Sequence, residues 1–151
     1  MKSTASMTSI LVDTNILVYA YDPRDATKNA QAQHLLQALR QSRRGILSVQ
    51  TLAEFMRATQ KLAIPPRTAM QYLQAFAASW PVLNLTPPVV LEAARGVSDY
   101  VLSYYDAQIW AVARLNQIGV VFSEDFNNGS TLEGVRFVNP FAEKFVVEQW
   151  V

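Results

Sequence analysis

Short apolar runs alternate with longer amphipathic segments from one end of the chain to the other. In the segment 28–41, for example, Ala32, Leu35, Leu36 and Leu39 recur at the 3.6-residue spacing of one helix face. Strands are predicted at residues 10–12, 45–49, 81–85, 120–122 and 135–138, and helices at 14–21, 28–41, 51–62, 67–79, 89–99 and 104–117. Such alternation is typical of a parallel sheet covered by helices on both faces. The sequence therefore predicts an α/β fold, a three-layer α/β/α sandwich with a central parallel sheet.

Glycines and other turn-forming residues indicate where these elements end. Gly45 is predicted to break the helix that precedes it, and Gly119 to stop the last helix. Residues 127–129 (NNG) have the composition of a turn. The tail at residues 145–151 is unusually apolar, and we expect it to pack back on the domain or on a partner.

The composition excludes several classes of protein. With 151 residues the chain can bury a core of its own, and we expect one domain spanning residues 1–151. No apolar run approaches the roughly 20 residues that a membrane helix needs, and the N-terminal residues lack the apolar stretch of a signal peptide. The absence of cysteine excludes disulfides, thiolate zinc sites and a thiol nucleophile. These features lead us to expect a cytoplasmic protein with no membrane association.

Four carboxylates occur where predicted strands end or predicted helices begin. Asp13 follows the first apolar run, Glu54 lies in the helix after the second strand, Asp106 opens the last helix, and Asp125 follows the strand at 120–122. In parallel α/β folds, sites lie outside the carboxyl ends of the strands. Acids that converge there repel one another unless a cation lies between them, and oxygen ligands suit Mg²⁺ and Mn²⁺. The pattern predicts a divalent-metal site.

Each acid also has a structural explanation that requires no function. Asp13 could be the N-cap of a helix, Glu54 a solvated residue on a helix surface, and Asp125 a turn former. Asp106 suits the positive end of a helix dipole, but its neighbours are apolar, and a charge in such surroundings needs a partner or an ion. The occurrence of all four in this order favours a functional site.

In these residues the chain resembles the PIN-domain ribonucleases, specifically the VapC-type toxins of bacterial toxin–antitoxin pairs. The similarity runs nearly from end to end, through residues 12–20 (VDTNILVYA), Glu54, residues 105–107 (YDA), residues 123–125 (SED) and residues 134–141 (GVRFVNPF). The resemblance implies a PIN-like fold and a divalent-metal-dependent endoribonuclease that hydrolyses RNA phosphodiester bonds with a metal-activated water.

The resemblance also implies roles for individual residues and for partners. The metal ligands and catalytic acids would be Asp13, Glu54, Asp106 and Asp125, binding Mg²⁺, for which Mn²⁺ would substitute. Supporting groups would be Thr14, Asn15 and Ser123. Comparison with the order of acids in the family assigns the fourth ligand to Asp125 rather than to the neighbouring Glu124. The partners expected are an RNA substrate, a cognate antitoxin protein and a second copy of the chain in a homodimer.

Other functions fit the residues less well. His34 is the only histidine, which excludes a metal-independent ribonuclease that uses two histidines. A phosphotransferase with Asp13 as its nucleophile would need a second aspartate two residues on, where this chain has Asn15. A non-catalytic PIN-like module that binds RNA is the main alternative, although loss of one or more acids usually accompanies such a role.

Several cations and tyrosines are further candidates for contact with RNA. Arg40, Arg43 and Arg44 could bind phosphate, but cations also suit the end of a helix. The same question is open for Arg24, Lys28, Arg57 and Arg95. Tyr19, Tyr21, Tyr104 and Tyr105 could stack on unpaired bases or belong to the core or its rim, whereas Trp110 is predicted to be a core residue.

Overall fold

The computed structural model describes residues 8–151, and the expectation about a signal peptide concerns N-terminal residues that lie mostly outside this range. The strands are β1 (Ile10–Val12), β2 (Gly45–Ser48), β3 (Val82–Leu83), β4 (Val120–Phe122), β5 (Thr131–Leu132) and β6 (Val135–Val138). The helices are α1 (Thr14–Tyr19), α2 (Ala26–Ser42), α3 (Val49–Lys61), α4 (Pro66–Ser79), α5 (Pro87–Tyr100) and α6 (Tyr104–Leu115), followed by a 3-10 turn at Val147–Gln149. Within residues 8–151, none of the helices combines the length and the apolar character needed to cross a membrane.

The strands form one sheet in the order β3-β2-β1-β4-β6-β5. All neighbours are parallel except β5, which runs antiparallel to β6. In the central strand, Leu11 is in register with Ile46 of β2 and with Val121 of β4. Because β1 and β4 are parallel neighbours, the residues that follow them emerge side by side. The predicted α/β fold with a mostly parallel sheet is therefore confirmed.

The sheet separates two apolar clusters. Ile10 and Val12 pack with α1 to α4 on one face, whereas Leu11, which points the other way, packs with α5 and α6. This alternation follows from the two-residue period of a strand. Trp110 of α6 is fully buried in the second cluster, as predicted. Helices thus cover both faces of the sheet, which confirms the three-layer arrangement.

The sequence-based boundaries were least accurate near short strands. The predicted strand at residues 81–85 is reduced to β3, because Leu85 lies in an exposed connection before α5. The strand predicted at residues 135–138 is present as β6, and it pairs in an antiparallel hairpin with β5, a strand that the sequence did not predict. The predicted turn at residues 127–129 is present, with the Ser130 amide donating to the Asn127 carbonyl.

Neither glycine ends the helix that it was predicted to end. Helix α2 ends at Ser42, and its C-cap is Arg43, whose φ of 60° is left-handed. Gly45 is instead the first residue of β2. A Cβ at Gly45 would lie 2.2 Å from Cζ3 of Trp80, so close packing explains this glycine. The chain similarly leaves α6 before Gly119, through the left-handed Gln117 (φ 54°).

The apolar tail packs on the same chain. Phe122 of β4 makes edge-to-face contacts with Phe145 and Trp150, with ring centroids 5.4 and 5.3 Å apart. Phe145, Val147 and Trp150 are partly buried against the cluster that contains α1 to α4. Of the two expectations for the tail, packing on the domain is the one observed.

Candidate functional site

Asp13 lies at the carboxyl end of the central strand, directly before α1. Its Oδ1 accepts a hydrogen bond from the Thr14 amide at 2.8 Å, and its Oδ2 accepts one from Ser123 Oγ at 2.8 Å. An ordinary N-cap side chain accepts from the second or third helical residue, whereas Asp13 reaches only the first and turns its other oxygen toward the loop after β4. The side chain is only 6% exposed. Capping alone therefore does not account for this residue.

The environment of Asp13 disfavours its negative charge. Burial raises the pKa of the Asp13 carboxyl from 3.8 to about 6, against the hydrogen bonds from Ser123 and Thr14, which lower it. The charges of Asp125 and Glu54 contribute to the same rise in pKa. Burial and repulsion thus act together on the carboxylate in the middle of the site.

Asp125 lies on the loop after β4 and interacts with the remaining acid. Burial raises the pKa of Asp125, the side-chain amide of Asn15 lowers it, and the charges of Asp106 and Glu124 raise it. The Asn15 amide nitrogen is buried and makes no hydrogen bond of ordinary geometry, so it lies near Asp125 without being fully paired. Through these interactions, electrostatic repulsion links Glu54 to Asp13, Asp13 to Asp125, and Asp125 to Asp106.

A chain of side-chain amides holds Glu54. Its Oε1 accepts from Thr14 Oγ1 at 3.2 Å and from Gln50 Nε2 at 3.0 Å. The same Gln50 nitrogen donates to the Tyr105 carbonyl at 3.0 Å, and Gln50 Oε1 accepts from Gln108 Nε2 at 2.8 Å. These bonds connect α3 to the first turn of α6, where Asp106 lies.

Gln50 and Gln108 are site residues that the sequence analysis did not identify. Both are almost completely buried, and a buried amide must find hydrogen-bond partners. A signal existed in the sequence, because Gln108 lies inside the most apolar of the predicted helices, two residues after Asp106.

The three predicted supporting residues all contact the acids or the loop that carries Asp125. Ser123 is buried, donates to Asp13 and accepts the Asp125 amide at 3.1 Å. Asn15 Oδ1 accepts the Glu124 amide at 3.4 Å, and Thr14 bonds to Glu54 as described. They therefore fix the loop after β4 against the start of α1.

Glu124 differs from its neighbour Asp125 because it is already paired. Its carboxylate accepts a hydrogen bond from Tyr19 Oη at 2.8 Å and forms a salt bridge with Lys28. The Lys28 ammonium also lies over the rings of Tyr19 and Phe141, 4.8 and 5.5 Å from their centroids. Glu124 ties the loop to α2, while Asp125 faces the open groove described next.

A groove of about 990 Å³ is lined by two of the four acids, Glu54 and Asp125, together with Thr14 and Asn15. Asp13, which is buried, and Asp106 do not line it. Arg24, Arg57 and Lys61 also line the groove, whereas Arg40, Arg43 and Arg44 do not. His34 is exposed on α2, away from the groove lining.

The carboxylates are not gathered into a preformed ion site. Across residues 8–151, no three acidic or histidine side chains lie together closely enough to hold a metal ion. No basic side chain in this part of the molecule forms a salt bridge with any of the four acids. The donor set consists of oxygen atoms, which is the chemistry that Mg²⁺ and Mn²⁺ prefer.

The fold and the site together define an α/β protein with mutually repelling acids near the carboxyl edge of its central strands. A model of the PIN domain family matches residues 10–127. The chain therefore belongs to the PIN domain family.

Solved structures with similar folds include toxins. VapC20 of Mycobacterium tuberculosis, a sarcin–ricin loop cleaving toxin, is 22% identical with a TM-score of 0.65, and the match covers 85% of this chain and 99% of that one. A toxin–antitoxin complex from Klebsiella pneumoniae is 21% identical with a TM-score of 0.65, covering 88% and 98%. VapBC2 of Rickettsia felis, bound to a DNA fragment from its promoter, is 13% identical with a TM-score of 0.61, covering 86% and 97%. A comparison with curated protein sequences gives no match. At these identities, the likenesses establish the fold.

Proposed function

We propose that this chain is, as one domain, a divalent-metal-dependent endoribonuclease and the toxin of a toxin–antitoxin pair. The observation that carries the proposal is the set of four carboxylates at the carboxyl edge of the sheet, coupled by repulsion and without a basic partner among residues 8–151. Membership of the PIN domain family supports it. So does the fold shared with a toxin that cleaves the sarcin–ricin loop.

The donor set fits Mg²⁺, with Mn²⁺ as a substitute. Asp13, Glu54, Asp106 and Asp125 would hold the ion. A divalent cation bound by these residues would lower the pKa of a water molecule and neutralise charge on the phosphate.

The chain's own residues have separate tasks in this proposal. Asp13, ionised above about pH 6, supplies charge at the base of the site. Ser123 orients the Asp13 carboxylate and the backbone of Asp125 together, while Gln50 keeps one oxygen of Glu54 in place. Such supporting hydrogen bonds commonly affect metal affinity or activity by about 10- to 100-fold when they are removed.

The test is cleavage of RNA by the purified protein in Mg²⁺, in Mn²⁺ and in EDTA. We expect endonucleolytic products with either ion, none in EDTA, and none from the Asp13→Asn variant with Mg²⁺. The matched control is Asp25→Asn, because Asp25 is an exposed N-cap of α2 that asparagine can replace. Full activity in excess EDTA would rule the mechanism out.

A PIN-like module that binds RNA without cleaving it is the second candidate. The observation that favours it is that no three of the acidic or histidine side chains within residues 8–151 are gathered to hold an ion. The cleavage assay, combined with a native gel, distinguishes the nuclease from the binding module. With Mg²⁺, a binding module would slow the migration of RNA on the native gel and leave the RNA intact.

The partners we propose are an antitoxin and a second copy of the chain, acting in the cytoplasm where the RNA is. The fold shared with toxin–antitoxin complexes supports the first of these. Expression alone should arrest growth, Asp13→Asn should be tolerated, and co-expression with the antitoxin should restore growth. Normal growth with soluble wild-type protein, in a host without the antitoxin, would count against the toxin role and leave the nuclease role intact.

A further inference from the structure

The groove continues beyond the acids along one side of α3. Glu54, Arg57 and Lys61 lie on the same stripe of the helix, at the spacing that places residues on one face. At 1.5 Å per residue, Arg57 lies roughly 4.5 Å and Lys61 roughly 10.5 Å farther along the helix axis than Glu54. A ligand that extends out of the acidic end in this direction meets two cations in succession.

These two cations have no acidic partner among residues 8–151. Arg57 and Lys61 are exposed, and neither forms a salt bridge within the part of the chain that the structure describes. Arg24, which also lines the groove, is different, because its guanidinium donates to both oxygens of Asp22 at 2.9 and 2.8 Å. The end of a helix favours a cation such as Lys61, but that effect does not explain Arg57 one turn earlier.

An exposed aromatic ring also lines the groove. Tyr105, in the first turn of α6, is 64% exposed and lines the same groove. Its ring packs edge-to-face on Tyr104, with centroids 5.5 Å apart, and its backbone carbonyl accepts the hydrogen bond from Gln50. The ring is therefore carried by a fixed backbone and leaves most of its surface open to a ligand.

We infer that Arg57, Lys61 and Tyr105 form the binding site for the single-stranded RNA that flanks the cleaved bond. Arg57 and Lys61 bind phosphates beyond the acids, and the Tyr105 ring stacks on an unpaired base. Phosphate supplies negative charge complementary to two unpaired cations, and stacking needs a base whose face is free, which a duplex does not offer. This inference rests on the proposed function, because it assigns the path of its substrate.

The test measures affinity for a fluorescent single-stranded RNA oligomer as a function of salt concentration. Proteins carrying Asp13→Asn are used in Mg²⁺, so that the RNA stays intact during the titration, which a gel verifies. Each phosphate contact contributes about 0.7 to the slope of log K against log salt for single strands. Arg57→Gln combined with Lys61→Gln should therefore reduce the slope by about 1.4.

The tyrosine is tested separately from the cations. Tyr105→Ala should weaken binding roughly five- to 150-fold, the range found when a base loses its stacking partner, and Tyr105→Phe should retain most of the affinity. Arg67→Gln is the matched control, because Arg67 is an exposed arginine outside the groove lining. Thermal unfolding of each variant verifies that the fold is intact.

The outcomes separate this inference from the proposed function. An unchanged salt slope in the double variant, equal affinity for a duplex of the same length, or no binding of single-stranded RNA at low salt would each overturn the inference. If wild-type protein cleaves RNA while the double variant keeps its slope, the nuclease proposal stands alone. If RNA binds as expected but wild-type protein with Mg²⁺ leaves it intact, the binding site stands and the nuclease proposal fails.

Discussion

Asp13→Asn should stabilise the metal-free protein by an amount that depends on pH. Asp13 is 6% exposed, and burial raises the pKa of its carboxyl from 3.8 to about 6. Between these two values the native protein binds more protons than the unfolded chain, so the free energy of unfolding falls as the pH rises through this window. At about 1.36 kcal/mol per pH unit, the ionised carboxylate destabilises the native state by roughly 3 kcal/mol at pH 7 and above.

Asparagine removes this charge while keeping the shape of the side chain. Its carbonyl can accept from the Thr14 amide, and its NH₂ group can donate to Ser123 Oγ, so both hydrogen-bonding partners of Asp13 keep a bond. Because asparagine does not titrate, the advantage of the variant over wild type should grow by about 1.4 kcal/mol between pH 5 and pH 8. Urea unfolding in EDTA, followed by tryptophan fluorescence at the two pH values, measures this difference.

The matched control for Asp13→Asn is an aspartate that caps a helix on the protein surface. Asp25→Asn, on the exposed N-cap of α2, should change stability by less than about 0.5 kcal/mol at either pH. Added Mg²⁺ should stabilise wild type more than the Asp13→Asn variant. A variant that differs from wild type by the same amount at pH 5 and pH 8 would refute the argument that burial and repulsion disfavour the Asp13 charge.

Two further predictions concern packing around the site and the sheet. Gln50→Ala should lower the free energy of unfolding by about 1–3 kcal/mol, because the buried Gln108 amide loses its acceptor. The control Gln60→Ala, on the exposed side of the same helix, should leave stability unchanged, so equal urea midpoints for the two variants would contradict the prediction. Gly45→Ala should cost about 1–3 kcal/mol, since the added Cβ would lie 2.2 Å from the Trp80 ring; an unchanged melting temperature would show that the ring moves aside easily.

The layered fold was predictable because its signal is local. The apolar spacing in α2 and the alternation of short strands with helices follow directly from burial on the two faces of one sheet. Strand β5 was missed because two residues are too few to show a period, and its pairing with β6 depends on a hairpin. The left-handed residues Arg43 and Gln117, which end their helices, carry no sequence signal of the kind that glycine provides.

The positions of the acids were predictable to the level of the sheet edge, and their surroundings were not. Asp13 and Asp125 both follow strands, as the strand–helix order predicted, and the structure shows that these two strands are neighbours. Two of the three partners of Gln50 lie on α6, more than fifty residues along the chain. Such a contact depends on how α3 and α6 pack, and a glutamine on a helix is otherwise expected to be a solvated surface residue.

The distribution of cations around the groove supports the metal-binding role proposed for the four acids. Asp22 lines the same groove and forms a salt bridge with Arg24. Glu124 lies on the same loop as Asp125 and forms a salt bridge with Lys28. Basic side chains are thus available in this part of the molecule. If the site acids were structural, a salt bridge would offset the burial and the repulsion that raise the pKa of Asp13 and Asp125. Because none is formed among residues 8–151, only hydrogen bonds from neighbouring groups oppose this destabilisation there. The proposed metal ion would remove it on binding.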